Sequence, residues 1–347
     1  MDTPQAQAPS NPYGPSPLRR PASIRRTTTL DTDWPEGIGK PMRMRGRGRD
    51  LFTQAQGGGT RVVADDFTEI VANPLREIMT IATVRGQDAA QAMVGHRGGG
   101  HLRSLIAELL PHEHVGTTAM HLLLDDFSGA SLVAGWAWSR WHGDWMQKIR
   151  EEYEANPENR AAMVRKMEGI CTGFAPGSTA LNPDGTSVQT IQSATLVPPL
   201  PHPDDPLSWH PLNQQEGVGM RRARRTDVWF EDGKIGIDVG FQDSATSPDG
   251  SVNRVAIHEY QLSATADAET LELISIEVDP RVLPYRECPG ASPRAKYMEG
   301  ASLKGFRLDV LEKLPGALGC THLNDVLRSM ADIPNLAAAL RTELAKG

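Results

Sequence analysis

Apolar residues recur at helical spacing in the middle of the chain. Between His101 and Leu110 they occupy positions 102, 105, 106, 109 and 110, and Pro111 follows directly. A 3.6-residue period that stops at a proline predicts an amphipathic helix. Residues 117–141 and 144–170 carry two further helical patterns. The first half of the chain is therefore expected to contain three successive helices.

Stretches of a different kind precede these helices. Arg25-Arg26-Thr27-Thr28-Thr29 and Met42-Arg43-Met44-Arg45 are β-branched or alternating and are separated by glycines. Such stretches are typical of strands and turns. The second half repeats the order, with strands expected at 234–241, 252–264 and 271–278 and helices at about 292–298, 304–314 and 324–330.

Composition shifts divide the chain into segments. Residues 1–24 are rich in Pro, Ser, Ala and Gln with almost no large apolar groups, which predicts a disordered tail. Residues 172–219 collect Pro, Ser, Asn and Asp without periodicity, which is typical of a long loop. We therefore expect one unit at 25–143, a helix and Pro-rich linker at 144–219, and a second unit at 220–347.

The two expected units share residues at a constant offset of 193 positions. The matched residues are Asp50, Thr53, Gly57, Arg61 and Val62 with Asp243, Thr246, Gly250, Arg254 and Val255. Only six of 42 positions are identical over the whole ungapped stretch, so shared strand patterning is the alternative to duplication. The correspondence predicts an α+β fold of two tandem repeats, each a small antiparallel sheet with helices on one face.

The composition and charge of the chain disfavour some classes of binding partner. The 347 residues are enough for two domains, and 36 Lys+Arg against 43 Asp+Glu give a net charge of −7. A chain without a positive field is not expected to bind nucleic acid or an anionic membrane. No apolar run reaches the length of a membrane span, and the N-terminus lacks signal-peptide features, so we expect a cytoplasmic protein. The sequence leaves the oligomeric state open.

Metal-ligand residue types cluster in the second half. His258-Glu259 falls on an expected strand, Cys288 follows the third strand, and Cys320 opens the last helix. Thiolate and imidazole suit zinc or iron, and the start of a helix favours a thiolate at Cys320. The three cysteines Cys171, Cys288 and Cys320 form no readable disulfide framework. The predicted ligands are His258, Cys288 and Cys320, and the predicted acid and base groups are Glu259, His322 and Asp325. Burial as ordinary core residues is the alternative for each thiol and imidazole.

The first half contains a second candidate ligand set. Its nitrogen and oxygen donors are harder, in the chemical sense, than the sulfur donors of the second half. His121 and Asp125 are four residues apart, so both side chains would lie on one face of a helix. Imidazole and carboxylate together suit iron, zinc or manganese. The alternative is that Asp125 and Asp126 simply end a solvated face.

Four arginines, Arg221, Arg222, Arg224 and Arg225, form a basic cluster at the start of the second unit. They could grip a carboxylate or phosphate ligand. Charges that protect an exposed strand edge are the alternative.

Three segments of the second unit resemble a bacterial family known as a domain of unknown function. They read RVAIHEYQLSATAD, IEVDPRVLPYRECPGASP and LGCTHLNDVLRSMADI, and the Arg-Arg-Thr-Thr start at Arg25 extends the resemblance over nearly all of the chain after the tail. The family implies no established activity.

The last third is more remotely similar to the IscU/NifU type of iron–sulfur scaffold, in which three cysteines hold the cluster. Cys288 and Cys320 resemble two of these in placement, while His258 or Glu259 stands where the first would be. The resemblance implies an IscU-like second unit, and the departure favours a single metal ion over a cluster.

These features predict a metal-dependent enzyme of small-molecule catabolism, of the lyase or hydrolase type. Its zinc or iron ion would activate water or polarise a carbonyl group of a small-molecule substrate. Two alternatives stay open: a metal or iron–sulfur carrier without its own substrate, and a non-catalytic interaction protein with buried cysteines.

Overall fold

The computed structural model describes residues 11–56, 59–142, 167–181 and 195–346. Within these ranges nine strands form one antiparallel sheet. The strands are β1 (Ser23–Asp33), β2 (Met42–Thr53), β3 (Thr60–Ala72), β4 (Ile78–Thr83), β5 (Thr195–Val197), β6 (Gly219–Glu231), β7 (Lys234–Thr246), β8 (Arg254–Asp267) and β9 (Leu273–Val282).

The strands follow the order β4-β3-β2-β1-β6-β7-β8, and both β5 and β9 pair with β8. The mixed α and β composition with antiparallel pairing is confirmed. The two small sheets expected from the sequence are joined edge to edge, because β1 pairs with β6 from Ser23 opposite Trp229 to Asp33 opposite Gly219. One continuous sheet therefore runs through both halves of the chain.

Corresponding irregularities occur on either side of this junction. The register between β2 and β3 shifts between Asp50 and Leu51. The register between β7 and β8 shifts between Asp243 and Ser244. A bulge bends its strand and re-aims the neighbouring side chains, so both halves change direction at the same kind of position.

The α-helices follow β4 in the first half of the chain and β9 in the second half. They are α1 (Gln87–Gln91), α2 (Gly100–Leu109), α3 (Pro111–Gly116), α4 (Ala119–Val133), α5 (Trp136–Trp141), α6 (Phe306–Lys313), α7 (Thr321–Ser329) and α8 (Ile333–Ala345). The helix expected over 117–141 is split into α4 and α5. Most of the helix expected over 144–170 lies outside the described residues.

The segment expected as a helix at 292–298 is a 3-10 helix, Cys288–Met298. Pro289 and Pro293 both lie within it. Because proline lacks a backbone N–H and clashes with the preceding turn, it disfavours a regular α-helix here.

Apolar side chains pack between the sheet and the helices on one face. One core joins β6 to β9 with α6, α7 and α8, and a second joins β2 to β4 with α1, α2 and α4. Polar residues on the inward faces of the helices therefore lie against the middle of the sheet.

The other face of the sheet is covered by irregular chain. Residues 11–22, which fall in the segment expected as a tail, lie against the loop around Leu200. Ser16 donates its backbone N–H to the Leu200 carbonyl at 2.9 Å, and Arg19 pairs with Asp205 at 2.8 Å. This cover encloses part of the sheet face opposite the helices.

None of the helices within the described ranges combines the length and the apolar character needed to cross a bilayer.

Candidate metal centre

Two neighbouring strands bring Asp243 and His258 together. Asp243 on β7 is the register partner of His258 on β8, so both side chains leave the sheet on the same face. The second residue of α7, His322, reaches the same point from the helix layer. Asp243 is fully buried and the His258 side chain nearly so, while the His322 side chain is 15% exposed.

The three side chains converge on one carboxylate oxygen. Asp243 Oδ2 lies 3.5 Å from His258 Nδ1 and 4.0 Å from His322 Nε2. One donor atom from each residue lies within 4.8 Å of the other two. Two ligands at roughly 2.0–2.2 Å from a tetrahedral metal lie about 3.3–3.6 Å apart. The Asp243–His258 separation lies within this range, and the Asp243–His322 separation lies above it.

The two imidazole rings stack, with centroids 3.4 Å apart and planes 20° from parallel. Burial lowers the pKa of both histidines, and for His322 the neighbouring His258 lowers it further. Two imidazolium rings stacked this closely would repel each other. Both rings are therefore neutral near pH 7, the form in which imidazole binds a metal.

Asp243 is the charged member of the group. Burial acts to raise its pKa, but the Arg222 guanidinium outweighs burial and holds the pKa well below its usual range. Arg222 donates from Nε to Oδ1 and from Nη2 to Oδ2, both at 2.9 Å. The same guanidinium lies 3.2 Å from Asp325 and 3.5 Å from Asp126, so its charge is shared among three carboxylates.

His258 Nδ1 is buried and lacks a hydrogen-bond partner. Its 3.5 Å separation from Asp243 Oδ2 is at the outer limit of a hydrogen bond. Buried polar atoms are nearly always paired in folded proteins. The unpaired nitrogen therefore marks a position where a bound ion or proton donor would be accommodated.

The triad lies within a segment that other proteins share. Residues 220–335 match the model of the family described as "Protein of unknown function (DUF2889)". This segment is similar to the DUF2889 family. The match confirms the resemblance to a domain-of-unknown-function family and spans Asp243, His258 and His322. No curated protein and no solved structure matches the chain.

The other residues predicted as acid and base groups have different surroundings. Glu259 follows His258 on β8, so it projects to the opposite face of the sheet. It accepts hydrogen bonds there from the Tyr13 backbone and from Gln242. Asp325 lies on α7, in the helix layer, and accepts hydrogen bonds from Arg103 at 2.7 Å and from Arg222 at 3.2 Å. The sheet separates Glu259 from the triad, and Asp325 adjoins the triad through Arg222.

The predicted sulfur ligands lie elsewhere in the core. Cys171, Cys288 and Cys320 are all buried free thiols. The Tyr260 hydroxyl donates to Cys320 Sγ at 3.3 Å. Within the described ranges, Asp243, His258 and His322 are the only ligand-type group found to converge within 4.8 Å. The structure thus does not bring Cys288 and Cys320 to His258 at ligand distance.

The burial of Cys320 disfavours the thiolate expected there. Cys320 does precede α7, but burial raises its pKa to about 11. Burial also raises the pKa of Cys288 well above its usual value. The loss of hydration in the core outweighs the helix dipole, so these thiols are protonated near pH 7.

His121 and Asp125 share the inward face of α4, and both are buried. His121 Nε2 lies 3.0 Å from His114 Nδ1, and burial lowers the pKa of His121 to about 3. Asp125 is surrounded by Arg103, Arg307 and Arg328 at 3.2–3.6 Å. The solvated-face alternative for Asp125 and Asp126 is wrong, and Asp125 serves as an ion-pair partner.

The basic cluster lies on β6, in the middle of the sheet. Its four arginines are buried, so the exposed-edge interpretation is wrong. The closest partners are Asp31 for Arg221, Asp243 for Arg222, Asp126 for Arg224, and Asp227 for Arg225. The arginines do grip carboxylates, and these belong to the protein itself.

Asp243 is the site residue that sequence reasoning did not single out as a ligand. It entered only as one of the positions matched at the offset of 193. The turn at Pro248-Asp249-Gly250 predicts the hairpin, but regular pairing outward from it would place Asp243 opposite Ile257. Only the register shift between Asp243 and Ser244 brings Asp243 beside His258.

Proposed function

We propose that the protein is a metal-dependent enzyme acting on a small-molecule substrate, with Asp243, His258 and His322 as the metal ligands. The observation that carries the proposal is the convergence of one donor atom from each of the three residues within 4.8 Å in a buried setting. Two neutral imidazoles and one carboxylate are a donor set for zinc or for non-haem iron.

The ligand number supports catalysis over a purely structural role. Structural zinc sites use four protein ligands, whereas three leave a coordination position for water or substrate. A metal held this way activates water or polarises a carbonyl group, which is the chemistry of a hydrolase or lyase. The 15% exposed side chain of His322 identifies the side from which a small molecule would approach.

Arg222 is suited to position the carboxylate ligand. Its two-point contact fixes the plane of Asp243, and the Oδ2 lone pair nearer the histidines stays available. Outer partners of this kind typically change metal affinity or activity 10–100-fold when removed. Asp126 and Asp325 offset the arginine charge, which favours cation binding beside it.

Metal analysis of the purified protein tests the proposal. We expect about one zinc or iron per chain in the parent protein and loss of that metal in His258→Gln and His322→Gln. His96→Gln, a replacement away from the triad, is the matched control. Circular dichroism of each variant distinguishes loss of the ligand from loss of the fold.

The proposal would be refuted if the parent protein contained no metal after growth and purification with added zinc or iron. Retention of full metal content by folded His322→Gln would also contradict the assignment of this ligand.

The second candidate is a metal or iron–sulfur carrier. Cys288 Sγ and Cys171 Sγ lie 2.9 and 3.8 Å from the position that a Cβ on Gly173 would occupy, so two thiols approach one point. Anaerobic reconstitution with iron and sulfide should give a coloured protein if they hold a cluster. Their burial and raised pKa values make this candidate the weaker one. Unpaired thiols suit a reducing cytoplasm in either case.

We further propose that the fold arose from two tandem repeats. Arg26–Asp50 joins β1 to β2 in the way that Arg222–Asp243 joins β6 to β7. Across the β1–β6 junction, Arg25–Asp227 is mirrored by Arg221–Asp31. The corresponding bulges add support. An IscU-like second repeat is supported by Cys288 after β9 and Cys320 before α7.

A further inference from the structure

One edge of the sheet is open along the first half of β3. β2 pairs with β3 on one side, while β4 on the other side covers only residues 68–72. Among the described residues, 60–65 therefore have a neighbouring strand on one side alone, and we call them the free β3 edge. Val62 and Val63 on this edge are 52% and 38% exposed. An open strand edge with exposed apolar side chains is a template for pairing with another strand.

The strands at the two ends of the sheet are protected by the chain itself. Ile78 on β4 makes backbone hydrogen bonds to residues 95 and 96 at 2.8 and 3.0 Å. Leu273 on β9 makes backbone hydrogen bonds to residues 300 and 301 at 2.8 and 2.9 Å. Within the described ranges, the free β3 edge has no such cap, so it differs from the other edges of the sheet.

The equivalent edge in the second half of the chain is covered by a strand. Each half has a bulge, which leaves Val63 without a partner on β2 and Ile257 without a partner on β7. Counted from these bulges, residues 60–62 of β3 correspond to residues 254–256 of β8. Residues 254–256 pair with the short strand β5. The bulge therefore does not prevent pairing at this edge, and β3 lacks the strand that completes β8.

The charges along the free β3 edge favour pairing with an identical edge. Arg61 lies near one end of the edge and Asp65 lies at the other. When two identical strands pair antiparallel about a twofold axis, each end meets the opposite end of the other strand. Arg61 of each copy then lies near Asp65 of the other. Arg61 contacts Glu343 and Asp65 contacts Arg47 within the chain, but the Arg61 and Asp65 side chains remain 49% and 50% exposed.

Antiparallel pairing of two strands already joins the two halves of this chain, through β1 and β6. We propose that the free β3 edge pairs in the same way with the free β3 edge of a second copy of the chain, so that the two sheets become continuous. Val62 and Val63 of both copies then lie close to the twofold axis and lose contact with water. Backbone groups that are open in one copy become hydrogen-bonded to the other.

Sedimentation velocity of the purified chain tests the proposal. We expect a monomer–dimer equilibrium with a Kd of about 1–100 µM, as for a small interface. Val63→Lys and Val63→Glu each place two like charges near the axis and should weaken the dimer at least tenfold. An equimolar mixture of the two variants should recover association, because opposite charges then meet. Val252→Lys, in the exposed turn between β7 and β8, is the matched control and should associate as the parent does.

Hydrogen–deuterium exchange locates the contact without any substitution. When the concentration of the parent is raised from well below to well above the Kd, amide exchange of residues 60–65 should slow. Exchange of residues 78–83 on β4 should not change, because that edge is already capped. This measurement on the parent also covers the case in which circular dichroism shows that a Val63 variant has failed to fold.

A parent chain that stays monomeric at about 100 µM would overturn the proposal. A folded Val63→Lys variant that dimerises as tightly as the parent would also contradict it, as would a dimer whose exchange protection lies outside residues 60–65. His322→Gln should dimerise as the parent does, which makes this contact independent of the metal centre.

Discussion

Arg222 and Asp243 form a buried two-point ion pair in which both nitrogen–oxygen distances are 2.9 Å. Asp243 also faces the two histidines, and Arg222 also contacts Asp126 on α4 and Asp325 on α7. The pair thus links the candidate metal centre to helices from both halves of the chain. Charges placed this deep cannot be removed singly without leaving a partner unpaired.

Removal of the Arg222 charge should be strongly destabilising. Arg222→Met keeps much of the side-chain volume but leaves Asp243 without its cation, and breaking a buried pair typically costs about 3–5 kcal/mol. Urea unfolding at pH 7.5 measures the loss. Arg43→Met is the control, because its pair with Asp33 is partly exposed and should contribute less than about 1 kcal/mol. Equal losses in the two variants would contradict the buried character of the Arg222 pair.

Gly129 permits the close approach of α4 to this pair. A Cβ added at Gly129 would collide with Arg222 Nη1 and Asp325 Oδ2. Gly129→Ala should therefore lower the free energy of unfolding by about 1–3 kcal/mol, as expected for overpacking. Gly135→Ala, where a Cβ meets nothing within 4 Å, should be neutral or slightly stabilising. Thermal unfolding measures the stability of both variants. A Gly129→Ala variant as stable as the parent would refute the close approach.

Buried neutral histidines should make the protein acid-sensitive. Burial lowers the pKa of His210, which lies between Thr27 and Thr29, to about 3. Below pH 6.5 the unfolded chain binds a proton that the folded chain excludes, so stability falls as pH decreases toward 3. The slope is about 1.4 kcal/mol per pH unit for each such histidine.

Urea unfolding between pH 7.5 and pH 5 measures this slope. His210→Gln should reduce it by about one proton. A stability independent of pH between 6.5 and 5 would contradict the exclusion of protons from His210.

The three cysteines should react slowly in the folded protein. Burial raises the pKa of Cys171, Cys288 and Cys320, and the thiolate is the reactive form. At pH 7.5 we expect an aromatic disulfide reagent to label three thiols in urea within minutes and to label the native protein at least a hundredfold more slowly. Rapid native labelling that metal suppresses would favour the sulfur ligands predicted from the sequence.

Local patterning predicted the elements of the second half well. The strand expected at 252–264 is β8, and the helix expected at 304–314 is α6. The 3-10 segment at Cys288 and the split between α4 and α5 depend on local proline and glycine and on packing, which hydrophobic period alone does not resolve.

The chemical types of the residues predicted the site less well than the hydrophobic pattern predicted the strands and helices. His258 and His322 were both among the candidate residues, in different roles, and their rings lie together in the structure. Cys288 and Cys320 were attractive as ligands because of their sulfur, yet packing directs them into the core beside Tyr260. Asp243 required the pairing register of β7 and β8, which a list of motifs does not contain.

The β1–β6 junction has a consequence for how the chain folds. One of its ion pairs joins Arg25 to Asp227, 202 residues apart. A contact this distant in sequence carries a large loop-closure entropy and slows folding. During synthesis β1 emerges long before β6 and presents an unpaired edge to other nascent chains. We expect the sheet to stay incomplete during synthesis until β6 has been made. Aggregation of the incomplete sheet would compete with its completion.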